Sequence, residues 1–129
     1  MTAQASPETI LVIGAGQMGT GIAHGFATAG ANVLLVDASR AAAEKAVAGM
    51  GDILDGSVKL GKLTVDEAAL VKARVAIEDD LAAASARSGL VVETATENIA
   101  TKIAIFDTVS RNAPAGAVLA TNTSALSVT

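Results

Sequence analysis

The stretch that decides the fold runs from Ile10 to Asp37 and reads "ILVIGAGQMGTGIAHGFATAGANVLLVD". Its first four residues, Ile10 to Ile13, are aliphatic with no polar break, as a strand covered on both faces should be. Gly14, Gly16 and Gly19 follow in a G-x-G-x-x-G spacing. From Gln17 to Ala29, the residues Met18, Ile22, Phe26 and Ala29 recur at helical spacing, which predicts a helix packed through that face, and Gly30 stands where a helix end favours glycine. Val33-Leu34-Leu35-Val36 repeats the two-sided apolar strand pattern and ends in Asp37. Strand, glycine turn, helix and strand in this order make one βαβ unit.

The same alternation continues outward. Ser39 predicts the cap of an Ala-rich helix to about Met50 that extends toward Lys59 through a half weakened by Gly49, Gly51 and Gly56. Gly61 marks a turn, and Thr64-Val65-Asp66-Glu67 is a capping-box sequence opening a short helix to about Ala73. A helical hairpin is therefore expected between the second strand and the third, Val75-Ala76-Ile77. Leu90-Val91-Val92 and Val118-Leu119-Ala120 read as further strands, and Glu78-Asp79-Asp80 as a loop and helix start. Between the last two strands, Ile99, Ile103, Phe106 and Val109 form one helical face that Pro114-Ala115-Gly116 ends. The predicted fold is α/β, a doubly wound, mostly parallel sheet of Rossmann type with a helical hairpin insertion, in one domain over residues 1–129.

Composition narrows the function. The chain is 51% apolar and 17% charged, with no Trp or Tyr and two Phe, so an aliphatic globular core is expected and stacking of nucleic-acid bases is not. Net charge is −4 and the nine Lys and Arg are scattered, leaving no basic stripe for nucleic acid or an anionic membrane. With no cysteine and one histidine, no metal site is expected. Residues 1–8 carry no basic n-region and Ile10 to Ile13 is too short to span a bilayer, so a cytoplasmic protein is expected.

The glycine pattern alone is weak, but it follows a strand, opens a helix, and has Asp37 at the end of the next strand. In that context Gly14 permits the tight turn, Gly16 lets a pyrophosphate approach the backbone, and Gly19 lets helix and strand pack closely. Free N–H groups and the positive helix end face the phosphates. Asp37 can accept from the adenosine ribose hydroxyls and would repel a 2′-phosphate, which favours NAD over NADP, with FAD an alternative for the same fingerprint that the following residues argue against. Arg40 is the residue that would instead greet a 2′-phosphate, and a plain glycine turn with Asp37 as a solvated strand end is the bland alternative.

On these residues, "VIGAGQMGTGIAHGFATAGANVLLVD", "VVETATENIATKIAIFDTVS" and "APAGAVLATNTSALSVT" resemble the amino-terminal NAD-binding domain of L-3-hydroxyacyl-CoA dehydrogenases, including bacterial 3-hydroxybutyryl-CoA dehydrogenases. The resemblance implies that Gly14, Ala15, Gly16, Gln17, Met18 and Gly19 hold the pyrophosphate and Asp37 the adenosine ribose. It implies that Glu97 lies near the nicotinamide ribose and Lys102 between cofactor and CoA substrate. Ser124 would contact the nicotinamide side and the substrate's 3-oxygen, with Asn122 structural. Lys59 or Lys62 would serve as CoA phosphate partners on the hairpin, where Ile53 replaces a Ser of the family. The implied substrate is an acyl-CoA thioester and the implied full-length protein a homodimer. The family's His–Glu base pair lies beyond Asn122-Thr123-Ser124, as does its helical domain. The domain is thus expected to be incomplete at its carboxy-terminal end, and this chain alone to bind cofactor without turnover. Ser88-Gly89, Thr94 and Thr96 depart from the family's usual residues.

Other readings of single residues stand beside these. His24 is expected to be solvated or locally hydrogen-bonded, off the packed helix face. Glu93 and Glu97, at a strand end and a helix start, suit cofactor contact or helix capping better than paired acid/base work. Lys102 on an exposed helix face would otherwise be a solvated charge, and Ser124 a helix cap, since no G-x-S-x-G elbow is present. Alternatives for the whole are a stand-alone dinucleotide-binding or sensor module, a related NAD-dependent L-gulonate or carnitine dehydrogenase, and a structural protein such as a lens crystallin. Asn122-Thr123-Ser124 favours the acyl-CoA branch.

Overall fold

The computed structural model describes residues 8–94 and 98–121. In chain order these form β1 (Thr9–Ile13), α1 (Gln17–Thr28), β2 (Asn32–Val36), α2 (Arg40–Lys59), α3 (Val65–Ala73), β3 (Val75–Ile77), α4 (Leu81–Ala86), β4 (Leu90–Glu93), α5 (Ile99–Asn112) and β5 (Val118–Thr121). The strands make one parallel sheet in the order β3-β2-β1-β4-β5. β1 is central: Leu11 stands opposite Leu34 of β2 on one side and Val91 of β4 on the other. The order of strand addition reverses between β1 and β4, with β2 and β3 laid down to one side of β1 and β4 and β5 to the other; in such sheets the ligand crevice lies outside the carboxyl ends of the strands at that point.

Alternation along β1 divides two cores. Ile10 and Val12 join Val33, Leu35, Ala23, Ala27 and Met50 on the face covered by α1, α2 and α3. Leu11 and Ile13 join Leu34, Val36, Val91, Ala84 and Val109 on the face covered by α4 and α5. Caps set the helix starts: Ser39 Oγ accepts from Ala42 N at 3.1 Å, and Asp80 Oδ1 accepts from Ala82 N at 3.0 Å. Thr64 and Glu67 make both bonds of the capping box, at 3.0 and 2.8 Å. Gly61, with φ +75, makes the turn between α2 and α3, and the hairpin closes on Leu54, Ala68 and Val71. The three glycines of α2 do not interrupt it; burial of Ala43, Ala46, Met50 and Leu54 along one face offsets their low propensity.

Two helix faces differ from the periodicity reading. The buried residues of α1 are Gly19, Ala23 and Ala27, while Ile22 and Phe26 pack only partly and Met18 is 55% exposed. The helix lies so close to the sheet that only small residues fit beneath it: a Cβ on Gly19 would stand 1.8 Å from Gly14 O. In α5 the buried residues are Lys102 and Val109, with Ile99 and Ile103 exposed. The departures from the family pattern have local partners. Ser88 Oγ donates to Ala84 O at 2.8 Å, Gly89 leaves room for the Glu8 carboxylate, and Thr94 Oγ1 donates to Ile13 O at 3.0 Å. Thr96 lies outside the described residues.

Candidate functional site

The site begins at the turn from β1 into α1. Gly14 adopts φ +108, a region that side chains rarely enter, and its N–H donates to Val36 O at 2.8 Å, which ties the turn to the end of β2. Gly16 caps α1 in extended conformation without any side-chain cap, and a Cβ added there would meet nothing within 4 Å. The approach to the first turn of α1 is therefore open. Gly19 is the opposite case, filled by Gly14 backbone. The three glycines thus perform a turn, an open approach and a tight contact, the combination that a pyrophosphate at a helix N-terminus requires.

Asp37 is held by the backbone. Its Oδ2 accepts from Ala15 N and its Oδ1 from Ser39 N, both at 2.8 Å. Each oxygen keeps lone-pair capacity for a hydroxyl donor. The carboxylate lines a hollow of about 370 Å³ with Gly14, Val36, Ala38, Leu81 and Ile105 among its walls, apolar enough for a heterocycle and acidic where a ribose would lie. Arg40 is engaged by a carboxylate. Its Nη1 donates to Asp79 Oδ2 at 2.7 Å, and that carboxylate raises the guanidinium's pKa above its ordinary value. With Arg40 taken up by Asp79, the Asp37 carboxylate at the end of β2 is the group that disfavours a 2′-phosphate.

At the other side of the switch, the structure differs from the sequence reading. Glu93 is fully buried, so it neither faces a cofactor nor caps a helix; the cap of α5 is Asn98, whose Oδ1 accepts from Thr101 N at 3.0 Å. Lys102 is not a solvated charge: its ammonium donates to Glu93 Oε1, with 2% of the side chain exposed. Thr121 Oγ1 donates to the same oxygen at 3.0 Å. No periodicity rule reveals this pair, because it joins a strand end to a helix turn. Glu97, Asn122 and Ser124 lie outside the described residues.

A second cleft, about 540 Å³, opens between α1 and α2 beside the glycine turn, with Gly16, Gln17, His24, Lys45, Gly49 and Ile53 on its walls. His24 Nε2 is buried there without a hydrogen-bond partner among the described residues, rather than solvated or locally hydrogen-bonded as expected. The lysine brought to this cleft is Lys45, which sequence reasoning passed over as one charge on an Ala-rich helix. Lys59 and Lys62 are exposed at the far end of α2, a helix of 20 residues and so about 30 Å long. Among the described residues no helix is long and apolar enough to cross a membrane.

Comparison with known proteins agrees with this geometry. The family described as "3-hydroxyacyl-CoA dehydrogenase, NAD binding domain" matches residues 9–129. The chain is 38% identical over 122 residues to 3-hydroxyadipyl-CoA dehydrogenase of Escherichia coli (strain K12), covering 95% of this chain and 26% of the relative. It is 42% identical over 125 residues to 3-hydroxybutyryl-CoA dehydrogenase of Bradyrhizobium diazoefficiens, covering 92% and 40%. Among solved structures, the fold matches 3-hydroxybutyryl-CoA dehydrogenase of Escherichia coli K12 with TM-score 0.88 at 36% identity, over 95% of this chain and 26% of that one. The (S)-3-hydroxybutyryl-CoA dehydrogenase of Ralstonia eutropha gives 0.85 at 37%, over 95% and 43%. The chain spans less than half the length of each of these relatives. A glycine turn at the N-terminus of α1, an aspartate at the end of β2 and a match over residues 9–129 lead to one assignment: the chain belongs to the 3-hydroxyacyl-CoA dehydrogenase family, as its NAD-binding domain.

Proposed function

We propose that this chain is the cofactor half of an enzyme that oxidises an L-3-hydroxyacyl-CoA, such as 3-hydroxybutyryl-CoA, to the 3-ketoacyl-CoA. The observation that carries the reading is the family match over residues 9–129, together with relatives named for 3-hydroxyadipyl-CoA and 3-hydroxybutyryl-CoA. NAD, when bound, supplies the hydride acceptor. The glycine turn and Asp37 hold its adenosine and pyrophosphate; Glu97 is assigned to the nicotinamide ribose and Ser124 to the substrate's 3-oxygen. Lys59 and Lys62 are assigned to CoA phosphates, which a ligand reaches by running along α2. The working enzyme is read as a cytoplasmic homodimer.

Removing a hydride from the carbinol carbon requires a base for the hydroxyl proton. The sole histidine of residues 1–129 is His24, whose Nε2 is enclosed between α1 and α2, so these residues by themselves are assigned binding without turnover. Mixing residues 1–129 with NADH and acetoacetyl-CoA tests this: nucleotide binding with no loss of NADH absorbance is expected. Steady acetoacetyl-CoA-dependent oxidation of NADH by these residues alone would overturn the reading.

A further inference from the structure

The acidic run Glu78-Asp79-Asp80 behind β3 divides its labour. Glu78 pins the loop: its Oε2 accepts from the Asp79 and Asp80 amides at 2.9 and 3.2 Å, and its Oε1 from Arg87 Nη2 at 2.6 Å. Asp80 caps α4. Asp79 has a distant partner: its Oδ2 accepts from Nη1 of Arg40, the first residue of α2, at 2.7 Å. The two side chains are 50% and 67% exposed, and an exposed pair of this kind adds little to stability.

Its place gives the pair a use. Asp79 lines the same hollow as Asp37, the residue assigned to the adenosine ribose. Arg40 comes directly after Ser39, whose amide donates to Asp37 Oδ1 at 2.8 Å, so its side chain leaves the backbone close to that carboxylate. In dinucleotide-binding folds an arginine near the ribose is what accommodates a 2′-phosphate. Here Asp79 pairs with that guanidinium from the loop behind the edge strand β3, and Glu44 Oε2 stands 3.7 Å from its Nε.

We propose that Asp79 is a positioning residue for cofactor choice: by holding Arg40 it adds to the preference for NAD over NADP. Asp37 opposes a 2′-phosphate directly, and Asp79 withholds a cation that would offset that repulsion. The proposal rests on the NAD-binding reading and goes beyond it by assigning part of the discrimination to the loop behind β3. A guanidinium stays charged at any pH a protein survives, so a competing carboxylate is the means of keeping it from a phosphate. Because the competing pair is exposed, the effect is severalfold rather than orders of magnitude.

The test is a double-variant cycle read with NADH and NADPH, which differ by the 2′-phosphate. Binding of each is measured by calorimetry at low salt for the parent chain, Asp79→Ala, Arg40→Gln and Asp79→Ala/Arg40→Gln. Both positions are exposed, so the variants keep the fold. Asp79→Ala should bind NADPH about fivefold more tightly, with NADH within about twofold of the parent. The double variant should lose that gain, and the gain should shrink as salt is raised, since a freed surface charge is screened. A merely structural role for Asp79 would move both nucleotides together, and direct repulsion of the phosphate by Asp79 would give the same gain without Arg40. Equal changes for the two nucleotides, a gain that persists in the double variant, or an unchanged preference in Asp79→Ala would overturn the proposal. A parent chain that bound neither nucleotide would instead overturn the cofactor reading on which it rests.

Discussion

The two sides of the switch are built differently. On the β2 side, β1 and β2 are buried almost throughout, the turn is fixed by Gly14 N to Val36 O, and Asp37 is held by two amides of its own neighbourhood. On the β4 side, β5 exposes Val118 at 59% and Leu119 at 38%, Ile99 and Ile103 of α5 are uncovered, and the anchor is a buried ion pair between β4 and α5 that also takes the Thr121 hydroxyl of β5. The β2 side is locally determined and self-contained. The β4 side depends on long-range pairing and presents an apolar surface among the described residues.

The comparison breaks most visibly at the ion pair. Lys102→Met alone leaves Glu93 buried without its cation and should cost about 3–5 kcal/mol in urea unfolding followed by circular dichroism, with most of it restored by adding Glu93→Gln. On the other side, Gly19→Ala forces its Cβ against Gly14 backbone and should cost about 3 kcal/mol, the upper end of overpacking, and abolish NADH binding with it. Asp37→Ala removes charge-assisted bonds to a ribose and should weaken NADH by about 1.5–3 kcal/mol while narrowing its advantage over NADPH, as read by competition. Ser39→Ala, a lost cap on α2, should lower stability by about 1 kcal/mol and leave nucleotide preference unchanged. Ile103→Ser, on the uncovered face, should stay within about 0.5 kcal/mol of the parent if that face is indeed outside the core of this domain.

What could be read from sequence follows the same division. The strands, the hairpin, the Ser39 and Thr64 caps and the turn at Gly61 were legible because each is decided by residues a few positions apart. The glycine turn and Asp37 were legible because their chemistry is local to one βαβ unit. Periodicity misplaced the buried face of α1, since it ranks Met18 above Gly19, whereas a helix held this close to a sheet buries its smallest side chains. It also grouped Ile99 and Ile103 with Val109 on one face of α5; Val109 is buried, but Ile99 and Ile103 are exposed and the other buried residue is Lys102. Burial of Lys102 depends on a carboxylate across a strand end, and the enclosure of His24 depends on how α2 lies against α1. Neither relation has a spacing rule.

The central claim is that residues 1–129 bind NAD through the glycine turn and Asp37. Titration of NADH fluorescence tests it directly, since the chain has no Trp or Tyr to interfere. The account predicts saturable binding, displaced by ADP, weaker for NADPH and strongly reduced by Asp37→Ala. Absence of saturable binding, or binding indifferent to both the 2′-phosphate and Asp37, would contradict it.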